Sequence, residues 1–361
     1  MLKISTTKLQ ELISKAIKGV GNNKLIPRTT DIAIRVKDNV LTLITSDDDN
    51  FLNIRENIES DDFYAVVQAD QFSKLVMRTT SENITLERKD SILELKGNGT
   101  YTFSLEMDEN TGDVVEYPDP SQQILSIQQT TIGKIDVSTI RTILGAIKPS
   151  VAITDDIPTY TNYYFGDVVL ATDTFKIGCL AKKITATPIL VSAKLMELLD
   201  VYGGETPMDI YKADGRLVFH GDSCTVCGYA IEGIESFAVD SIMAYMDKEY
   251  PSKCVLPKQA VLQLLDRLSL FVGAFDDGVV DMAFTGDGLQ VSSQKSDSVE
   301  ILPYVDSALV EDSVGRLYLE MFRAQVKAQT GDNIQLYFGD NKSLKLVDDN
   351  INVTSIVSLV V

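Results

Sequence analysis

Apolar positions in this chain fall into two rhythms that alternate from end to end. Between Thr7 and Val20, the residues Leu9, Leu12, Ile13, Ala16, Ile17 and Val20 share one face of a 3.6-residue period. Lys8, Glu11, Lys15 and Lys18 fall on the other, so the spacing predicts an amphipathic helix. The same rhythm returns at 69–79 (Phe72, Leu75 and Val76 inward), 137–149 (Ile140, Ile143, Leu144, Ile147) and 192–202 (Leu195, Leu198, Leu199). It returns again at 258–271 (Val261, Leu264, Leu265, Leu268) and 317–329 (Leu319, Phe322, Val326). Between these stretches the period drops to two. Residues 32–36, 40–45, 51–57, 63–68, 84–87, 92–96 and 101–107 read as short strands, with turns such as Lys37-Asp38-Asn39 and Lys89-Asp90-Ser91.

The helical centres Leu12, Leu75, Ile143, Leu198, Leu264 and Phe322 recur at intervals of 55 to 68 residues. One helix with a few strands is too small to bury a core alone. Six such units taken in pairs give three similar domains. Two proline-bearing breaks, at Glu116-Tyr117-Pro118-Asp119-Pro120-Ser121 and Glu249-Tyr250-Pro251-Ser252, place the joints. The expected fold is α+β, with domains at 1–121, 122–251 and 252–361. Any α+β chain alternates loosely in this way; regularity over six units favours a true repeat.

Composition narrows the function. The 361 residues suit two or three domains. No apolar run approaches membrane-spanning length, and the opening MLKISTTKLQELI has no signal-peptide core, so a soluble cytoplasmic protein without a membrane partner is expected. Four cysteines do not make a disulfide framework and read as reduced thiols. With a single histidine, His220, a multi-histidine metal site is excluded and any Ser-His-Asp or Cys-His centre would rest on that residue. The net charge of −19 argues against a simple nucleic-acid groove binder, which is normally basic. The charge is uneven, however: the six helical stretches carry +6 and the remainder −25. Helices gathered on one surface would make it basic inside an acidic shell; ordinary solvated helix faces give the same numbers.

One stretch stands out. Leu170 to Gly178, LATDTFKIG, is a strand broken at Thr172-Asp173-Thr174 that resumes at Phe175. Leu43-Ile44-Thr45-Ser46-Asp47, followed by Asp48, Asp49, Asn50 and Phe51, has the same form: an apolar strand, a Thr/Ser-Asp break and a second strand that starts with Phe. With TFSLEM at 102–107 leading to Tyr117-Pro118, KQAVLQLLDRLSLF at 258–271 and a terminal apolar strand at 356–361, the chain resembles the bacterial DNA polymerase III beta subunit, the DNA sliding clamp. It is similar to a divergent or phage-type member.

The resemblance implies a non-catalytic processivity factor in DNA replication. Its subunits form a head-to-tail homodimer, a ring with helices lining a central hole and sheets outside. A closed ring holds double-stranded DNA by topology, independent of sequence, so weak attraction at the lining suffices and an acidic exterior is no objection. DNA-facing candidates are Lys8, Lys15, Lys18, Lys74, Arg78, Arg141, Lys148, Arg323 and Lys327. Lys24 stands near a basic family position. The family's second site is a hydrophobic pocket for linear peptides from the DNA polymerase, the clamp loader and repair proteins. By position its wall is Thr172, Thr174, Phe175, Lys176 and Ile177, with Tyr160 and Thr161 from the preceding strand. Met243, Tyr318, Met321, Leu344, Leu359 and Val360 complete it. Adaptable Met and aromatic side chains suit such a guest. Thr174-Phe175 replaces the family's usual Gly-His, and Ser-Leu-Val-Val at 358–361 replaces its proline-containing tail. The subunit joint would use Phe103 and Leu105 against Leu270 and Phe271.

Other chemistry is thin. Cys224-Thr225-Val226-Cys227 is a lone CxxC, and on a strand its thiols point to opposite faces. Asp47-Asp48-Asp49 reads as a solvated turn or a Mg²⁺ ligand set. Phosphate-cradling glycine loops are absent and no cofactor is implied. Two competing readings are a β-rich structural protein of a phage or cell surface that does not bind DNA, and a hydrolase built on Asp155-Asp156.

Overall fold

The computed structural model describes residues 1–23, 25–26, 28–127, 130–272, 278–293, 298–339 and 342–360. One order of elements runs through it three times. The first pass is β1 (Leu2–Ser5), α1 (Thr6–Ala16), β2 (Asp31–Lys37), β3 (Val40–Ser46), β4 (Phe51–Asn57), β5 (Phe63–Gln68), α2 (Ala69–Arg78), β6 (Asn83–Lys89), β7 (Ile92–Lys96) and β8 (Thr100–Ser104). A short helix, α3 (Pro120–Ser126), leads to β9 (Gly133–Ile135), α4 (Val137–Thr142), β10 (Asn162–Phe165), β11 (Val169–Thr172), β12 (Lys176–Leu180), β13 (Ile189–Ser192), α5 (Ala193–Leu199), β14 (Met208–Ala213), β15 (Arg216–His220) and β16 (Cys224–Tyr229). After α6 (Val239–Met246) come β17 (Ser252–Pro257), α7 (Lys258–Leu268), β18 (Val279–Thr285), β19 (Gly288–Ser292), β20 (Val299–Leu302), an added strand β21 (Asp306–Ala308), β22 (Ser313–Tyr318), α8 (Leu319–Ala328), β23 (Asn333–Phe338), β24 (Ser343–Asp348) and β25 (Val353–Ser358). The repeat read from the helix spacing is therefore real, and each pass holds two helix-plus-strands units.

The chain packs as two compact units: residues 1–140 with 194–230, and residues 141–193 with 231–361. The first holds a four-stranded sheet, β1-β6-β7-β8, and an eight-stranded sheet, β5-β2-β3-β4-β16-β15-β14-β9. The second holds a nine-stranded sheet, β13-β10-β11-β12-β25-β24-β23-β17-β21, and a four-stranded one, β20-β19-β18-β22. Each large sheet joins two passes by one antiparallel ladder. In the first unit β4 meets β16, with Phe51 opposite Cys227 and Ile54 opposite Cys224. In the second β12 meets β25, with Ile177 opposite Ile356.

The helices form where the period demanded them. Ser5 caps α1 by accepting the Lys8 N–H, and Leu9, Leu12, Ile13 and Ala16 are buried. In the third pass, α7 and α8 bury Val261, Leu264, Leu265, Leu268, Phe322 and Val326 against a sheet core in which Phe284 and Phe338 stack at 3.9 Å. The helix expected over 137–149 ends as regular α at Thr142. It continues as a π turn over Ile143–Ile147 and a 3₁₀ turn over Lys148–Ser150. There the buried Gln325 Nε2 donates to Ser150 Oγ at 2.9 Å.

The breaks between passes are structured. Tyr117, read as part of a linker, is 1% exposed and donates its hydroxyl to the Arg28 carbonyl at 3.0 Å. With Val114 and Val115 it covers Ala33, Ile44 and Val66 on the sheet of the first pass. After the second pass, Phe237, Ile242 and Met246 cover Tyr164, Leu170 and Leu190, which occupy the same ladder positions. In the third pass these positions hold Asp281, Ser292 and Arg316. Arg316 pairs with Asp281 at 3.3 Å, beside an open groove of about 520 Å³ that Val314 and Val360 also line.

Candidate functional site

The turn between β11 and β12 is closed by its own side chains. Thr172 Oγ1 accepts the Thr174 N–H at 3.1 Å and donates to the Lys176 carbonyl at 2.8 Å. Asp173 Oδ1 accepts the N–H groups of Phe175 and Lys176 at 3.0 and 2.7 Å. These acceptors hold Thr174 at a φ of +77°, unusual for a β-branched residue. The turn between β3 and β4 is its twin. Ser46 Oγ accepts the Asp48 N–H at 2.9 Å, Asp47 Oδ1 accepts the Asn50 N–H at 2.8 Å, and Asp48 has a φ of +87°. The ladders correct one expectation. They align Phe51 with Ile177, not with Phe175, and Phe175 takes the place of Asp49. β12 starts at Lys176, so Phe175 belongs to the turn. Phe51 is 6% exposed and Phe175 is 52% exposed.

The pocket residues named from the sequence lie in the second unit and fall on two apolar clusters. Tyr160, Ile177 and Met243 pack on the cluster of Tyr164, Phe237 and Ile356, with Tyr160 edge-on to Phe237 at 5.3 Å. Met321 and Leu359 pack on the cluster that contains Leu344, itself 1% exposed. Tyr318 ends β22 opposite Val279. The end of β25 and the residues after it tie this region together: the N–H groups of Ser358, Leu359 and Val360 donate to the carbonyls of Phe175, Lys342 and Arg316. Lys176 is turned inward, pairing with Asp173 at 3.1 Å and donating to the Pro149 carbonyl at 2.6 Å. Tyr160 and Thr161 lie on a 3₁₀ turn, Pro158–Thr161, ahead of the strand they were assigned to. Tyr160, Thr174 and Phe175 open on a groove of about 280 Å³ that Ile153, Asp156 and Ile157 also line. Sequence reading missed Ile153 and Ile157 and named Asp156 only as part of a hydrolase pair, because the stretch 152–158 has no periodicity to mark it.

The basic candidates divide by partner. Lys8 pairs with Glu56 at 2.8 Å, Lys15 with Glu11 at 2.7 Å, Lys18 with Asp200 at 3.2 Å and Lys74 with Asp70 at 2.7 Å. Exposed pairs of this kind contribute little and exchange readily for phosphate. Arg78, Arg141 and Lys327 are exposed and form no ion pair among the described residues, and Lys148 is exposed. Arg323 is 14% exposed; it pairs with Glu320 and Asp266 and donates to the Leu265 carbonyl, which ties α8 to α7. Lys24 lies outside the described residues. At the proposed joint, Phe103 packs edge-on against Phe72 and Leu105 is buried, while Leu270 and Phe271 are 81% and 51% exposed.

Among the described residues no group of three His, Cys, Asp or Glu side chains is placed to hold a metal ion. Burial pushes the thiols of Cys179, Cys224 and Cys254 up to about 12 and that of Cys227 to about 11, so they stay protonated and unreactive. His220 Nδ1 sits 2.8 Å from Thr225 Oγ1, a hydroxyl that also accepts from Arg55. Burial and the Arg55 guanidinium lower the pKa of that imidazole. Among the described residues no helix is long and apolar enough to cross a membrane.

Residues 1–119 match the family model of the DNA polymerase III beta subunit, N-terminal domain. No curated protein matches the chain by sequence. Solved structures match its fold from end to end. The beta subunit from DNA polymerase of Streptococcus pyogenes aligns with a TM-score of 0.83 at 13% identity, covering 99% of each chain. The DNA polymerase sliding clamp from Bacillus subtilis gives 0.82 at 15% identity, over 100% of this chain and 98% of that one. DNA polymerase III subunit beta from Borrelia burgdorferi gives 0.82 at 15%, over 100% and 99%. The chain thus has the fold of these proteins over its full length.

Proposed function

We propose that this divergent relative of the bacterial beta subunits is itself a DNA sliding clamp, a non-catalytic processivity factor that encircles duplex DNA as a homodimer. One observation carries the reading. The three passes offer three equivalent strand joints, and two are made within the chain, β4 with β16 and β12 with β25. The remaining members of the set, β8 and β20, are both edge strands, and they present Tyr101, Val299 and Ile301 to solvent. Bare edges of this kind favour pairing with another chain. A β8-to-β20 contact between copies is head-to-tail, and two copies close it into six passes. Leu270 and Phe271, just beyond α7, stand ready to pack at that joint with Phe103 and Leu105.

In such a ring the six repeated helices face the duplex. Lys8, Lys15, Lys18, Lys24, Lys74, Arg78, Arg141, Lys148 and Lys327 supply loose attraction to phosphate, and the acidic exterior discourages binding elsewhere. Arg323 belongs to this set as a helix-positioning residue more than as a contact. The three-domain division at 1–121, 122–251 and 252–361 follows the repeat. The half-exposed turn at 172–177, with Tyr160, Thr161, Met243, Tyr318, Met321, Leu344, Leu359 and Val360 around it, is the docking place for linear peptides of the polymerase and the clamp loader. The test is retention: protein loaded on nicked circular DNA is expected to stay through gel filtration and to leave when the circle is cut. Equal retention on circular and linear DNA would refute encirclement.

A further inference from the structure

The groove beside Phe175 has a charge character that its apolar wall does not reveal. Three large apolar side chains meet solvent around it: Ile153 at 98%, Phe175 at 52% and Ile157 at 40% exposure. A cluster of exposed apolar residues about one concavity is the ordinary mark of a docking surface. Its charged groups are carboxylates. Asp173 is already balanced, because its Oδ2 lies 3.1 Å from Lys176 Nζ. Lys176 cannot serve a guest, since its ammonium is turned inward onto Asp173 and the Pro149 carbonyl. Asp156 is different. It lines the groove, is exposed, and among the described residues accepts only the Thr154 hydroxyl, at 2.9 Å, with Asp155 next to it in sequence. No Lys or Arg is among the groove's lining residues.

We infer that the groove selects a linear peptide of a partner protein in which a large apolar residue is flanked by a lysine or arginine. The apolar residue fills the space between Ile157, Tyr160 and Phe175, and the neighbouring cation meets Asp156. This rests on the peptide-docking reading above and adds the guest's chemistry to it. Charge placed at the rim of an apolar site mainly sets which guest is accepted, by penalising the wrong sign.

The experiment uses the full chain and fluorescence anisotropy. Two fluorescein-labelled nonapeptides carry a central Phe; one has Lys on both sides of it and the other Glu. The lysine peptide is expected to bind about tenfold or more tightly at low salt, with the margin shrinking as salt rises. Asp156→Lys should reverse the order, and Phe175→Asp should weaken both. Equal affinity for the two peptides, with Phe175→Asp still weakening both, would overturn the charge rule and leave the docking site standing. Binding unaffected by Phe175→Asp would overturn the docking site as well.

Discussion

Phe175 and Asp49 hold the same place in twin turns, and the exchange of a carboxylate for a phenyl ring at one of them sets the two apart. A large ring half in solvent contributes little to folding, and it suits the docking role proposed for this turn. Phe175→Asp is therefore expected to leave the thermal midpoint within about 2 °C, yet to weaken partner-peptide binding by about tenfold or more, the cost of losing a hot-spot ring. Parallel melting and anisotropy measurements check both halves. Asp31 makes a different point. It is buried, and burial, followed by Glu106, pushes its carboxyl up to about 6 while Arg28 opposes the shift. Its folded-state pKa lies above the ordinary value of 3.8, so folding takes up a proton between the two. Its contribution to stability is full below pH 4 and is lost as the pH rises through 6. Asp31→Asn should raise unfolding free energy at pH 8 by roughly 1–3 kcal/mol and change it little at pH 4, as read from urea midpoints. The turn at 172–177 was legible because Thr and Asp write their own hydrogen bonds into the sequence. The alignment of Phe51 was not, since it depends on ladder register, which an intervening turn conceals.

At the scale of elements, regular periodicity carried the six repeated helices and the first-pass strands from β2 to β8 to within a few residues; most strands of the later passes were left unread. The failures have physical causes. α3 and α6 are short helices stabilised by what they lie on, and Ile143–Ile147 widens into a π turn that local propensity does not announce. The strand joints also needed the structure, because pairing partners 170 or more residues apart leave no local trace. Once known, they give a register that the proposed joint between copies can be tested against. Thr225 faces Asn53 in one joint and Thr354 faces Cys179 in the other. In the proposed ring, the same register counted along the ladders of the first and third passes would set Thr100 of one copy opposite Val299 of the next. Thr100→Cys with Val299→Cys in the same chain is expected to give a covalent dimer on a non-reducing gel after mild oxidation, whereas each single variant stays monomeric in that gel. No cross-link from the double variant would mean that the joint lies elsewhere.

For the whole molecule, the proposed ring answers the objection that net charge raises. A protein carrying −19 is a poor groove binder, yet a closed ring needs only mild attraction where DNA passes. Reversing Arg78, Arg141 and Lys327 to Glu together is expected to lower the loading rate several-fold at moderate salt while protein already on a circle remains there. A filter-binding time course followed by a salt challenge separates the two. Loss of preloaded protein would mean that contact, not closure, holds the duplex.

The sheet face that Tyr117 shelters in the first pass and Phe237 in the second carries no such lid in the third among the described residues, and an ion pair and a serine stand there in place of greasy side chains. A charged face of this kind offers little apolar purchase to a neighbouring molecule. Installing Ala, Ile and Val at positions 281, 292 and 316 would restore the family likeness between passes, and would turn a quiet surface into one on which molecules clump.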